Sequence, residues 1–251
     1  MALSERLKDR VCVVNGAASA IGEAVAERFQ EEGALVIGVD KVEHSAGDHS
    51  FTADLTDESQ VQEIYARTVE KHGKINVLYN NMGLQGREDH SALDMDLDTW
   101  QRVQNANLTS LFLSCKHGIP YLMKPAGGSV INSASFLANI GAATAQMAYS
   151  AAKAGVIQLT RDLGIINLAK SGVRVNAVCF GPIATEKPQA VFDRNPGSLE
   201  KRLAHWPVGR FGTLREAAGT IAFLASDDSG FITAAAIPLD GGITAAFTVP
   251  E

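Results

Sequence analysis

Tyr149 and Lys153 are the two residues whose types and spacing most clearly predict chemistry. If they lie in a helix, the four-residue spacing puts the phenol and the ammonium group on one face, a turn apart. The pKa of a tyrosine is ordinarily ~10, and a neighbouring cation favours its ionised form. We therefore expect Lys153 to lower the pKa of Tyr149, so that the tyrosine can exchange protons with a substrate at neutral pH.

Ser135 precedes that pair in the chain and follows the apolar residues Val130 and Ile131, which predict a buried strand. A hydroxyl at the end of such a strand can face the same pocket as the phenol. We expect Ser135 to hold a substrate oxygen there.

A second group of residues predicts a nucleotide site near the amino terminus. Residues 11–14 are an apolar run that ends at a glycine-bearing turn, residues 15–22, after which helical periodicity continues to Gly33. Residues 34–40 form another apolar run, which closes with Asp40. A turn that approaches a pyrophosphate, a helix amino terminus aimed at it and an acid about 20 residues further on are typical of dinucleotide binding.

The rest of the chain alternates apolar runs with helical segments, which predicts one α/β domain over residues 1–251. Its strands are continuous apolar runs, so we expect a parallel sheet covered by helices on both faces. Residues 181–212 are long for a connection and are expected to form a substrate loop. Further strands are predicted around Phe51, at residues 75–79, from Val130, and at residues 173–178 and 235–239, and further helices at residues 57–72, 98–123, 146–169 and from Thr213.

Composition favours a globular protein and excludes several partners. Of 251 residues, 46% are hydrophobic and 20% are charged, which suits a sizeable core. The net charge is −6, the pI is about 5.5, and no cluster of Lys and Arg stands out. We therefore expect neither nucleic acid nor an anionic membrane as a partner, and we predict no metal site.

Cysteine usage and hydropathy predict the compartment. Cys12, Cys115 and Cys179 are odd in number, far apart and set in apolar sequence, which indicates buried thiols rather than disulfides. Residues 1–10 lack the apolar region of a signal peptide, and no later run reaches the ~18 apolar residues of a membrane span. We expect the protein in the cytoplasm.

Taken in order, these motifs resemble those of the short-chain dehydrogenase/reductase family, in its single-domain NAD(P)-dependent branch, over essentially the whole chain. The resemblance implies a single Rossmann-type, doubly wound sheet and hydride transfer between a nicotinamide dinucleotide and an alcohol or carbonyl compound. The matching positions are residues 16–22, Asp40, residues 80–83, Asn107, Ser135, Tyr149, Lys153 and residues 181–182.

The resemblance also implies a role for each catalytic residue. Tyr149 would be the general acid/base, Lys153 would lower its pKa and hold the nicotinamide ribose, and Ser135 would fix the substrate oxygen. Asn107 matches the family asparagine that holds a water in a proton relay behind the lysine. It also fits a helix asparagine that satisfies the backbone at a kink, and the two roles are compatible.

Cofactor choice follows from charge. Asp40 is expected to accept hydrogen bonds from both adenine-ribose hydroxyls, and a 2′-phosphate beside it would meet like charge. Residues 17–20 contain no Arg or Lys to offset that repulsion, so we predict NAD rather than NADP. Asp54 is expected beside the adenine, although it also fits an ordinary turn residue. The predicted cofactor-binding residues are Gly16, Ser19, Ile21, Gly22, Asp40, Asp54, Leu55, Asn81, Met82, Gly83, Tyr149, Lys153, Pro182, Ile183 and Thr185.

Four residues depart from the family's usual pattern. Asn15 stands where Thr is usual. Ala20 stands where the middle Gly is expected, and we expect its methyl group, close to the pyrophosphate, to be tolerated but to weaken cofactor binding. Met82 replaces an Ala and is expected to crowd the adenosine side or the pocket. Phe180 replaces a Pro and is expected to form an aromatic wall over the nicotinamide.

The substrate is predicted only as a class. The candidate pocket residues are mostly apolar and include no cationic clamp, which favours a medium-sized apolar secondary alcohol or ketone. Two alternatives stay open: an NADPH-dependent 3-oxoacyl reductase, and a dinucleotide-sensing protein without catalysis. The candidate pocket residues are Leu84, Phe136, Met147, Phe180 and Trp206.

Assembly is predicted from the two most apolar helices. Those at residues 98–123 and 146–169 are apolar on more than the single stripe that faces a sheet. The extra apolar face predicts burial against another subunit. We therefore expect a homo-oligomer, and the family resemblance points to a tetramer.

Overall fold

The computed structural model describes residues 5–86, 88–123, 127–166, 168–185 and 196–246. Its centre is a seven-stranded sheet of order β3-β2-β1-β4-β5-β6-β7, in which all neighbouring strands are parallel. The predicted doubly wound parallel sheet is therefore confirmed. Its strands are β1 (Val11–Asn15), β2 (Leu35–Asp40), β3 (His49–Thr52), β4 (Val77–Asn80), β5 (Gly128–Ser135), β6 (Val173–Phe180) and β7 (Ala236–Leu239).

Helices cover both faces of the sheet. The alternation of side chains along each strand divides the core, so that Val13 packs on one face with Val156 while Val14 packs on the other with Phe29. No helix in the described ranges is long and apolar enough to cross a membrane. The helices are α1 (Ala20–Glu31), α2 (Glu58–His72), α3 (Leu97–Gln104), α4 (Ser110–Leu122), α5 (Met147–Ile165), α6 (Pro196–Leu203) and α7 (Leu214–Ala225).

The predicted helix at residues 98–123 is wrong in two respects. It begins after Asp96 rather than at Asp98, because the Asp96 carboxylate accepts the amide proton of Thr99 at 2.6 Å. It is also divided into α3 and α4 by a π-helical turn, Asn105–Thr109. Such a turn is frequent at functional sites.

Two other boundaries differ from the predictions. The helix predicted to reach residue 169 ends at Ile165, and a short 3₁₀ turn follows, closed by Gly172 at φ 75°. The stretch predicted as an irregular loop, residues 181–212, contains the helix α6. Residues 186–195 of that stretch lie outside the described residues.

A line of buried asparagines crosses the sheet from the carboxyl ends of β1 and β4 to the middle of β5. Asn15, Asn80 and Asn132 are register partners. The Asn15 amide donates to Asn80 at 2.9 Å, Asn80 donates to Asn132 at 2.9 Å, and Asn132 donates to Thr160 at 2.9 Å. Since a buried amide is costly unless it is paired, these bonds favour one register of β1, β4 and β5. The same strands carry residues of the candidate site.

Candidate active site

Helix α5 and strand β5 bring the predicted catalytic side chains together. Tyr149 and Lys153 lie one turn apart on α5, and the lysine nitrogen is 5.6 Å from the centre of the Tyr149 ring. Lys153 is only 2% exposed, and its nitrogen donates to the carbonyl oxygens of Met82 at 3.0 Å and Ser133 at 2.8 Å. A lysine ammonium has three protons, so one remains for a further partner.

Ser135 is the last residue of β5, as predicted, and is 4% exposed. Its hydroxyl accepts the amide proton of Leu137 at 3.2 Å, which fixes the side chain at the turn after the strand. Ser135 also acts to lower the pKa of the Tyr149 phenol, so the two hydroxyl groups are neighbours in the site. A substrate oxygen that reaches the phenol therefore also meets this hydroxyl.

Burial, rather than the lysine charge, dominates the acid/base properties of the pair. It raises the pKa of Tyr149, and hydrogen bonds from Ser135 and Gln85 oppose the rise. Burial also lowers the pKa of Lys153 to about 7. The pKa direction expected from the spacing alone is thus wrong for this structure, because removing both groups from water favours their neutral forms.

Asn107 lies in the π-helical turn and is fully buried. Its amide donates to the carbonyl oxygens of Val103 at 2.8 Å and Leu84 at 3.0 Å, and its side-chain oxygen accepts the Leu84 amide proton at 3.2 Å. The Asn107 side chain thus pairs with backbone N–H and C=O groups where the helix is irregular. This is one of the two roles expected for it. Gly83 lies beside both side chains, since a Cβ there would be 3.8 Å from the Asn107 oxygen and from the Lys153 nitrogen.

The turn after β1 fits the phosphate side of a dinucleotide. Gly16 has φ 79°, and a Cβ there would be 2.8 Å from the Asn81 carbonyl oxygen. A Cβ on Gly22 would overlap the Gly16 carbonyl. Ser19 caps α1 by accepting the Gly22 amide proton at 3.1 Å, and Asn81 donates to Ser19 at 2.7 Å. The result is a tight backbone turn at a helix amino terminus, where unpaired N–H groups bind phosphate.

Asp40 ends β2 beside this turn, as predicted. Its carboxylate accepts the amide protons of Ala18 at 3.0 Å and Val42 at 3.4 Å, which fixes its position. A carboxylate at this place fits the hydroxyls of an adenine ribose. The residues present therefore suit a nicotinamide dinucleotide: the turn for the pyrophosphate, Asp40 for one ribose and Lys153 for the other.

Comparison with known proteins agrees with this geometry. The family model described as Enoyl-(Acyl carrier protein) reductase matches residues 16–244. The chain is 36% identical to the 3-oxoacyl-(acyl-carrier-protein) reductase of Thermotoga maritima, over 95% of this chain and 99% of that protein. The chain belongs to the short-chain dehydrogenase/reductase family.

Two further members of the short-chain dehydrogenase/reductase family illustrate its range. Meso-2,3-butanediol dehydrogenase of Serratia marcescens is 34% identical, over 98% of this chain and 99% of that protein. The aldohexose dehydrogenase structure of Thermoplasma acidophilum superposes with a TM-score of 0.87 at 32% identity, covering 99% of this chain and 100% of that one. The chain is therefore an oxidoreductase of this family, and its relatives differ in substrate.

The remaining residues predicted to bind the cofactor from the short-chain dehydrogenase/reductase pattern differ in burial and in hydrogen bonding. Ile183 is 6% exposed, and its neighbour Pro182 accepts the Gly212 amide proton at 3.0 Å, so this part of the loop is fixed after β6. Asp54 bonds the amide and hydroxyl of Thr56 at 2.8 and 2.7 Å, as an ordinary turn residue does. Leu55 is buried in the core. Ile21 and Thr185 are half-buried at α1 and after Ile183.

Two of the residues that differ from the usual family pattern lie elsewhere than expected. Met82 was expected to crowd the site, but its side chain is 9% exposed and packs in the core, so only its carbonyl meets Lys153. Phe180 was expected over the nicotinamide, but it is 8% exposed and packs in the core on the other face of the sheet. Phe180 is the last residue of β6, so strand alternation decides its direction, which the motif alone does not report.

Sequence reasoning missed Asp89, which holds the start of α5, the helix that carries Tyr149 and Lys153. Asp89 is 3% exposed, and its carboxylate oxygens accept the amide protons of Ala148 and Tyr149, each at 2.9 Å. The local N-cap residue, Gln146, makes no capping bond with its side chain. Asp89 therefore replaces the local cap and fixes the backbone of Tyr149 directly. Its distance along the chain hides this contact from any local pattern.

We expect Asp89→Asn to lower kcat roughly tenfold while leaving the dinucleotide Kd within about twofold of wild type. The amide group would place N–H against one helix amide and lose a charge-assisted bond, which costs about 1–3 kcal/mol. The measurements are steady-state kinetics and calorimetric titration with NAD. Asp94→Asn is the matched control, because that exposed carboxylate bonds only the neighbouring Ser91 side chain among the described contacts. Equal kinetics for the two variants would contradict the positioning role of Asp89.

Proposed function

We propose that this protein transfers a hydride between NAD and an apolar secondary alcohol or the corresponding ketone, with Tyr149 as the general acid/base. The observation that carries the proposal is the convergence of Tyr149, Ser135 and Lys153 beside the Gly16 turn at the carboxyl edge of the sheet. A protein that only sensed a dinucleotide would have no need of an ordered phenol and serine hydroxyl at the same edge.

In this proposal the chain's own residues move the proton and hold the substrate. The phenol oxygen of Tyr149 takes the hydroxyl proton of the alcohol during oxidation and returns it to the carbonyl oxygen during reduction. Ser135 holds that oxygen beside the phenol. When bound, the dinucleotide accepts or supplies the hydride at the substrate carbon, and its oxidised ring adds a positive charge. Lys153, which uses two donors on Met82 and Ser133, has a third for the nicotinamide ribose.

The test is an absorbance assay at about 340 nm, the band of reduced nicotinamide. Secondary alcohols with NAD or NADP, and ketones with the reduced forms, are compared in initial rate. Turnover with NAD and secondary alcohols supports the proposal. A protein that binds NAD but turns over no alcohol or ketone would instead support the sensing alternative.

An NADPH-dependent 3-oxoacyl reductase is the second candidate. The Thermotoga maritima relative and the matching family model both carry acyl-carrier-protein names, which favours it. The carboxylate of Asp40 opposes it, because this group meets a 2′-phosphate with like charge. A 3-oxoacyl thioester with NADPH in the same assay separates the two: it would have to be the better substrate pair for this alternative to hold.

We expect Asp40→Ala to shift cofactor preference towards NADP by at least about tenfold in the ratio of kcat/KM values. The substitution removes two ribose hydrogen bonds and a like-charge repulsion together. Asp94→Ala is the comparison variant, since that exposed carboxylate bonds only the Ser91 side chain among the described contacts and should leave the cofactor preference unchanged. A wild-type protein that already prefers NADP would contradict the assignment.

We further propose a homo-oligomer, with a tetramer as the expected form. The described chain exposes Phe112 by 47%, Ile165 by 63% and Ile166 by 60% on or just after the two helices whose extra apolar face was predicted. Burial of such side chains against a second subunit is favourable. Light scattering at micromolar concentration should give a multiple of the 26.6 kDa chain mass. A monomer would exclude the assembly without affecting the chemistry.

The cytoplasm remains our proposed location. All three cysteines are free and buried in the structure. Thiols that persist in this form suit a reducing compartment.

A further inference from the structure

Met147 places an exposed thioether at the first residue of α5, one turn before the lysine and close to Tyr149 in the chain. The residue is 45% exposed, and its sulfur accepts the amide proton of Ala92 at 3.1 Å. Oxidation of a thioether to a sulfoxide converts a flexible apolar side chain into a polar one. Met147 therefore combines access for an oxidant with a fixed contact at the start of the helix that carries the phenol.

The cysteines do not compete with the methionines for an oxidant. Cys12, Cys115 and Cys179 are free and at most 2% exposed. Burial raises the pKa of each thiol, which disfavours the reactive thiolate. Within the described ranges, the sulfur atoms open to an oxidant are thus those of methionines, and the most exposed of these residues are Met147 and Met123, at 45% and 44%.

The segment that contacts the Met147 sulfur also holds the backbone of Tyr149. Ala92 lies three residues after Asp89. The Asp89 carboxylate accepts the amide protons of Tyr149 and of the residue before it, each at 2.9 Å, while Ala92 donates to the sulfur. Residues 89–92 are therefore attached to the first turn of α5 at both of their ends.

An oxygen on the Met147 sulfur changes one of these two attachments. The 3.1 Å between the sulfur and the Ala92 nitrogen is an ordinary hydrogen-bond length, which leaves no space for an added oxygen atom between them. A sulfoxide oxygen is also a stronger acceptor than a thioether, so the amide moves outward with it. Such a movement of residues 89–92 draws the Asp89 carboxylate away from the amide of Tyr149.

We propose that Met147 is an oxidative modification site, at which hydrogen peroxide forms a sulfoxide and lowers the activity by displacing the contacts that hold the start of α5. This inference rests on the proposed function, since it concerns the regulation of the same site. A lone pair of the sulfur attacks one peroxide oxygen, forming the S–O bond as the O–O bond breaks. The sulfur is oxidised and the peroxide is reduced. The hydroxide that leaves takes up the proton of the attacked oxygen and becomes water.

The test treats wild type, Met147→Leu and Met123→Leu with hydrogen peroxide and compares each rate with that of the same protein before treatment. We expect the rates of wild type and Met123→Leu to fall roughly 3- to 10-fold, the effect of one hydrogen bond, and that of Met147→Leu to change less than about twofold. Met123, which follows the last residue of α4, is the matched control because it is equally exposed.

Peptide mass spectrometry of the treated proteins locates the added oxygen. We expect it on Met147 in wild type, in proportion to the lost rate. Met147 left unoxidised, full oxidation of Met147 without a loss of rate, or an equal loss in Met147→Leu would each overturn the proposal.

Hydrogen exchange makes the result independent of turnover. The amides of Ala148 and Tyr149 are held by Asp89, so the first turn of α5 should exchange faster after oxidation of wild type. The same peptide should not change when Met147→Leu is treated. If exchange is unaltered while Met147 carries the oxygen, the inference fails. If exchange rises as expected but neither the treated nor the untreated protein turns over an alcohol or ketone, only the proposed function fails.

Discussion

Tyr149→Phe should lower kcat by about 10²- to 10⁴-fold while leaving the Kd for NAD within about twofold of wild type. The ring remains, so its packing beside Lys153 is kept and only the proton-transferring oxygen is removed. Ser135 would still hold the substrate oxygen, but no group at hydrogen-bonding distance would exchange its proton. Initial rates at saturating NAD and alcohol, together with calorimetric titration of NAD, check both parts.

Tyr121→Phe is the matched control for this variant. It removes a phenol hydroxyl from the last turns of α4, outside the candidate site. We expect kcat to stay within about twofold of wild type. If Tyr149→Phe retained more than about a tenth of wild-type kcat, Tyr149 would not be the general acid/base.

The Lys153→Met substitution should lower both kcat and the affinity for NAD. We expect kcat to fall by at least about 100-fold and the Kd for NAD to weaken by about tenfold, the effect of a lost charge-assisted hydrogen bond. Methionine has a similar length, so the buried space beside Ser133 and Met82 stays filled. The carbonyl groups of those two residues would lose their donor.

The double loss distinguishes Lys153 from Tyr149, whose substitution should affect the rate alone. Lys116→Met on α4 is the control, because that lysine is exposed and pairs with Glu58 at 2.5 Å on the surface. A Lys153→Met protein that binds NAD as tightly as wild type would contradict the proposed ribose contact. Circular dichroism of both variants shows whether the fold is kept.

Local patterns were sufficient for much of the fold. The helix predicted from Thr213 is α7, and Thr213 and Glu216 form a capping box at its start. The apolar runs became strands of a parallel sheet, and the four-residue spacing placed Tyr149 and Lys153 on one face of α5. These features depend on neighbours in the chain or on short periodicities, which a sequence reports directly.

Features that depend on distant contacts were not predictable. Asp89 caps a helix about 58 residues away, and the asparagine line joins three strands only after they pair. In the turn that divides α3 from α4, Asn107 bonds Leu84, which comes from the loop after β4. Each of these needs the tertiary structure to exist before it can be recognised.

The directions of the pKa shifts of Tyr149 and Lys153 could not be predicted from the sequence either. Spacing alone favours an ionised Tyr149 beside a charged Lys153, but it does not report burial. In the structure burial acts on both groups, raising the pKa of Tyr149 and lowering that of Lys153 to about 7. A bound dinucleotide with an oxidised, positively charged ring would favour the phenolate, so proton transfer is expected to depend on the cofactor.

The most direct test of the central claim is to follow the hydrogen on the substrate carbon. The wild-type protein is incubated with NAD and 2-butanol that carries deuterium at carbon 2, and the reduced cofactor is analysed by mass spectrometry. Hydride transfer at this site predicts reduced NAD that carries one deuterium from the alcohol, with 2-butanone as the other product, and almost none of either with Tyr149→Phe. Reduced cofactor without deuterium, or equal formation by the Tyr149→Phe variant, would contradict the account.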